Sequence, residues 1–313
     1  MSEELEAEED EKELWQRVAQ YEGSERAYAY MTLSQIAFNK GKLKESLAMC
    51  ETARDLFVRE GESKFPSELL DVNMGISRIY EKLDRGEDAA KAVGKAIEAA
   101  RVIDHEELDN LLREQGRYWF SAGEYEKSIT CHREAIATSQ LHLRDETPEL
   151  DYFNIAMGLQ ALKCYEESID AFRKSRAAYK ELDEIAMVVD CDYRLTELSV
   201  ALEDAVEIEH YGQRALDFYT LISHDRKVWT LKYYLGIANR IQGDLETAGR
   251  LFNEAKHLAI AMGGQDWEFL IKVEKELAEL FRKNGFEDEA NEILRRVKSI
   301  EELAAKESAH EDA

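Results

Sequence analysis

One pattern of small residues recurs seven times along this chain at a spacing of about 40 residues, and it restricts the fold before any chemistry is considered. Each unit has a bend residue: Gly41, Asp84, Gly123, Lys163, Glu203, Gly243 and Gly285. Seven positions before the bend sit Ser34, Ser77, Gly116, Ala156, Thr196, Gly236 and Ala278, all small. Twelve positions after it come Ala53, Ala96, Ala135, Ser175, Ala215, Ala255 and Val297. Such registration over most of a chain is the mark of a solenoid, in which each repeat packs on its neighbours.

Each unit reads as two helices joined by a short bend. In the sixth, Trp229 to Ile241 carries apolar residues at helical spacing, Gln242-Gly243-Asp244 interrupts them, and Leu245 to Ala261 resumes. Antiparallel helices approach closely only where the contact residue lacks bulk, so Gly236 is expected to admit Phe252. A glycine at the bend permits a positive φ. Both prolines fall where a helix should begin: Thr147-Pro148-Glu149 is a capping order, and Ser63 and Pro66 play the same part earlier.

These residues resemble the tetratricopeptide repeat, in an extended version of about 40 residues. The match is Leu235-Gly236, Gly243, Ala248, Phe252 and Ala255 in the sixth unit, and Gly116, Trp119, Gly123, Tyr125 and Ala135 in the third. The usual unit is about 34 residues, so the extra residues are expected to lengthen the helices, as in Tyr179 to Val189, which holds no breaker. The longer period is similar to that of kinesin light chains, spindle-orientation scaffolds and bacterial peptide-pheromone receptors. The resemblance implies an all-α, right-handed superhelical solenoid of about seven helix pairs. The expected units are 26–62, 67–104, 106–144, 148–185, 187–224, 226–263 and 266–300, forming one continuous array over 15–300.

Acidic tails flank the array. Residues 1–14 hold eight acids and one lysine, and 301–313 hold five acids and one lysine. The first is expected to be a disordered lead-in with a short cap from Leu14 to Tyr21, and the last a frayed extension of the final helix. A formal charge of −25 opposes binding to a phosphate backbone. No apolar run reaches the length of a membrane span, and the acidic start is unlike a secretory signal. Cys50, Cys131, Cys164 and Cys191 show no metal-type spacing and read as buried thiols in a reducing compartment. The expectation is a cytoplasmic protein without a cofactor or metal.

Catalytic constellations are missing from the sequence. His105-Glu106-Glu107 lacks the second histidine of a zinc helix. His132 follows Cys131 and occupies an interhelix contact register, so it reads as a packed core side chain. The Gly263-Gly264 pair reads as a helix end and not as a phosphate loop. The reading is a protein that is not an enzyme.

Stacking places the first helix of each unit on the concave side, where every third or fourth residue forms an open stripe. Of its 28 positions seven are basic and five acidic, a balance of +2 in a chain of −25. The candidate peptide-binding residues on it are Arg78, Asn110, Arg113, Arg117, Phe120, Phe153, Met157, Tyr193, Tyr233 and Arg240. Arginines and aromatics are enriched at binding hot spots. The expected ligand is a peptide or helical segment of a partner protein, with apolar anchors on Phe153, Met157 and Tyr193. Arg113 and Arg117 are expected to hold a carboxylate, unless they pair within the chain. Two alternatives stay open. One is a peptide-switched regulator like the pheromone receptors, although only about 25 residues precede the first unit where those relatives carry an effector domain. The other is a self-assembling protein or homo-oligomer joined through its terminal repeats by Phe38, Phe281, Phe286 and Ile293.

Overall fold

A computed structural model describes residues 12–141, 148–261 and 266–311 of the chain. The described residues are helical throughout, with short turns between helices. The chain divides into two compact units, Met1–Cys164 and Tyr165–Ala313. Both unit ends therefore meet just after the bend at Lys163, inside the fourth expected repeat.

The first unit holds a short helix α1 (12–18), then α2 (Gly23–Asn39), α3 (Leu43–Gly61), α4 (Pro66–Lys82), α5 (Gly86–Val102), α6 (Leu108–Ser121), α7 (Tyr125–Leu141) and α8 (Glu149–Ala161). The second holds α9 (Tyr165–Glu181), α10 (Ile185–Ala201), α11 (Ala205–Leu221), α12 (Asp225–Gln242), α13 (Leu245–Ala261), α14 (Trp267–Lys283) and α15 (Glu287–Glu311). Even-numbered helices from α2 onward are the first helices of the repeats, and odd-numbered helices from α3 onward are the second.

All seven bend residues have a positive φ, including Asp84, Lys163 and Glu203, whose side chains make that conformation costly. Each bend closes the same way: the N–H of the residue just after the bend reaches back five residues, as from Asp244 to the Asn239 carbonyl. The small-residue rows are buried from end to end. Ala53, Ala96, Ala135, Ala215 and Ala255 expose nothing, and Ser34, Ser77, Ala156 and Thr196 are buried with them. A Cβ on Gly236 would lie 2.6 Å from the Phe252 ring, so the glycine is what lets that fully buried phenylalanine in.

Three local expectations are corrected. Tyr179 to Val189 is not one helix: the chain turns at 182–184, with Asp183 at φ 57° and the Glu184 N–H bonded to the Tyr179 carbonyl. A left-handed residue and a backbone hydrogen bond stop the helix without glycine or proline. Cys164 is exposed, whereas Cys50, Cys131 and Cys191 are buried as expected. Helix α1 begins by residue 12, inside the stretch expected to be unstructured, because Val18 packs beside Ala29 and Leu33.

Pro66 opens α4 at its first turn. Pro148 stands one residue ahead of α8, while the expected cap at Thr147, the Gly263-Gly264 pair and residues 1–11 lie outside the described residues.

Candidate ligand-binding face

Helical spacing brings Met31 and Gln35 of α2, Met74 and Arg78 of α4, and Asn110 and Glu114 of α6 onto one face of the first unit. There they surround an open cavity of about 510 Å³. Its depth comes from small side chains, since Ser34 and Gly75 line it where bulk would fill it. Cys50 also reaches the lining, and burial pushes its thiol up from the ordinary range. Arg78 is exposed and forms no ion pair among the described residues. Asn110 is exposed and its Oδ1 accepts from Arg113 at 2.8 Å.

The other two expected arginines of this unit are already engaged. Arg113 Nε lies 2.9 Å from Asp151 Oδ2, and its Nη1 lies 2.9 Å from Asp109 Oδ2. Both aspartates are buried, at 1% and 0% exposure, so they require that guanidinium. Ser139 Oγ donates to Asp109 at 2.7 Å. His132 Nδ1 lies 2.9 Å from Asp151 Oδ1, and an ionised carboxylate can only accept there, which places a proton on Nδ1. His132 is thus a core residue tying α7 to α8, and Arg113 is the centre of a buried lock and not a free ligand-binding cation. Arg117 pairs with Glu81 at 2.9 Å and lies over the Tyr118 ring. Burial works against ionisation of Glu81, yet the hydrogen bonds from Arg117 and Tyr118 hold its carboxyl below the usual range. Phe120 meets Tyr125 edge-on at 5.2 Å, and Phe153 and Met157 of α8 are half-buried.

The corresponding face of the second unit is filled. Tyr193 contacts Tyr219 and Tyr234, and Tyr233 contacts Tyr234, Phe252 and Phe269, with centroids 5.6 to 6.5 Å apart. Burial pushes the Tyr233 hydroxyl up to about 12, and raises Tyr234 further. Arg240 pairs with Glu276 at 2.9 Å. Burial raises the Glu276 carboxyl despite that neighbour. Of the residues expected at terminal contacts, Phe281 and Phe286 are exposed and meet each other, Phe38 packs against the first core, and Ile293 is buried.

Sequence reasoning missed Asp109 and Asp151. The first was within reach, since Asp109 and Arg113 are four residues apart on a helix. The second contributes across 38 residues, and no local pattern announces it.

These helix pairs, with a left-handed bend and buried small residues at fixed register, define the tetratricopeptide-repeat fold. Particular proteins share it. A signal-transduction ATPase of Pyrococcus horikoshii with a tetratricopeptide repeat sensor matches with a TM-score of 0.63 at 13% identity, over 92% of this chain and 44% of that one. The C-terminal part of a repeat-containing protein from Cytophaga hutchinsonii matches with a TM-score of 0.59 at 12% identity, over 86% and 95%. In sequence, a kinesin light chain-related protein of Arabidopsis thaliana is 24% identical over 140 residues, which is 44% of this chain and 22% of that protein. The chain thus spans about a fifth of that relative's length. No family profile matches the chain.

Proposed function

We propose that the chain is a non-enzymatic adaptor that holds a segment of a partner protein on the first-helix face of its first unit. The observation that carries this reading is the open cavity between Met31, Met74 and Asn110, with Arg78, which pairs with no acid among the described residues, at its side. Methionines adapt to irregular apolar side chains, and an exposed arginine offers a fork for a carboxylate. A partner segment with an aliphatic anchor and one acidic residue fits both. Asp71 and Glu114 on the same lining disfavour a segment with several acids.

The repeat array of the ATPase is named a sensor, which supports a reading in which the repeats recognise another molecule. The test is selection of displayed peptides against the full chain, followed by affinity measurement with Arg78→Glu. Peptides carrying an acid should lose about tenfold or more in affinity. Peptides that bind both forms equally would place the contact elsewhere.

A further inference from the structure

A second cavity, of about 540 Å³, lies in the first unit between α3, the start of α4 and α5, and shares no lining residue with the first. Its apolar part includes Val58, Leu69, Ala99 and Val102. Arg54, Asn73 and Lys95 line it too, and these three occupy one register of the repeat: thirteen after a bend, eleven before the next, and eleven after that.

That register shows what belongs there, because the second unit repeats it. Between α9, α10 and α11 the three residues are Arg176, Asp192 and Arg214, with Asp192 wholly buried and 2.5 Å and 3.3 Å from the two arginines. Between α13, α14 and α15 they are Lys256, Glu274 and Arg296, again an acid between two cations, at 3.5 Å and 3.9 Å. Between α11, α12 and α13, Lys232 pairs directly with Glu254. In each case an acid of the chain itself holds the cations of this register. In the first unit both flanking cations are kept and the central acid is replaced by neutral Asn73. Lys95 consequently pairs with no acid among the described residues, and Arg54 meets only its neighbour Asp55, at 3.5 Å. Asn73 is 3% exposed; its Nδ2 donates to the Leu69 carbonyl, and its Oδ1 has no hydrogen-bond partner among the described residues.

We propose that this cavity is a docking site for an acidic side chain of a partner polypeptide, which supplies the carboxylate that the chain itself supplies at the equivalent positions of the second unit. The carboxylate sits between Arg54 and Lys95, aliphatic groups beside it cover Val58 and Val102, and the backbone N–H of the docked residue satisfies Asn73 Oδ1. Asp55, Glu62 and Glu98 on the same lining set the remaining preference: a single acid with a basic residue two positions away, and not an acidic run.

The experiment is methyl NMR on the full chain with the acetylated, amidated peptide Leu-Glu-Leu-Arg as probe. The methyls of Val58, Leu69 and Val102 should shift, whereas those of Met31 and Met74, which report the first-helix face, should not. The Gln version of the peptide should bind about tenfold or more weakly. Asn73→Asp provides an internal carboxylate and should abolish the shifts. Lys95→Gln, an exposed change that leaves the core intact, should weaken them if Asn73→Asp fails to fold. Equal binding of the Glu and Gln peptides, no shifts at millimolar peptide, or equal shifts with sodium acetate alone would each overturn the proposal. Failure here leaves the adaptor reading untouched, since that rests on other residues and other methyls.

Discussion

The second and sixth repeats use the same register for opposite ends. Ten, nine and six positions before the bend the second repeat has Met74, Gly75 and Arg78, and the sixth has Tyr233, Tyr234 and Ile237. Backbone, bend and buried small-residue rows agree between the two, yet one face holds an open cavity and the other a packed aromatic cluster. Repeat architecture therefore sets where a face lies, and side-chain volume at two or three positions sets whether anything can enter it. A stripe read by spacing alone treats both as open.

The sharpest way to break this comparison is at the residues that look free by spacing and are engaged in the structure. Arg113→Met leaves Asp109 and Asp151 buried without their cation, and should cost about 3–5 kcal/mol. Faster hydrogen exchange in α6 and α8 should accompany the loss. Arg117→Met removes an exposed pair and should cost no more than about 1 kcal/mol. Equal costs would mean that the Arg113 lock is a surface contact like the other. In the second unit, Tyr234→Ala should cost about 2–3 kcal/mol by emptying an aromatic cluster, read from the unfolding midpoint.

The helix pairs were legible because their determinants are local and repeated. Gly236 opposite Phe252, the alanines twelve after five of the seven bends and the bends themselves all follow from one period. Even the non-glycine bends conform, at Asp84, Lys163 and Glu203, since the seven-fold register outweighs the preference of any one residue. The turn at Asp183 was not legible, because no breaker marks it. The candidate site was only half legible. Arg78 and Asn110 line the cavity as spacing places them, but the fate of Arg113 is decided by Asp151, one repeat away. The positions of Arg113 and Asp151 carry no such pair in the other repeats, so the period does not announce it.

A smaller effect separates the fifth bend from the sixth. Glu203 at φ 55° carries a side chain where Gly243 at φ 88° carries none. Glu203→Gly should therefore raise stability by about 0.5–1 kcal/mol, the relief of left-handed strain less the entropy glycine adds to the unfolded chain. Thermal unfolding would read it, and a lower midpoint would mean that the Glu203 side chain contributes a contact that outweighs the strain.

The smallest expected change in stability gives the most direct check of the adaptor reading. A Cβ at Gly75 meets only Cys50 Sγ, at 3.6 Å, an ordinary contact. Gly75→Leu therefore enters the cavity without displacing backbone, and the gain in helix propensity, about 1 kcal/mol or less, offsets the crowding at its edge. The variant should unfold within about 1 kcal/mol of the parent. Its first-helix face should nonetheless be filled as the sixth repeat's is, so selected peptides should no longer bind. A folded variant that still captures them would show that volume at this register does not govern access, and that the open and filled faces differ for some other reason.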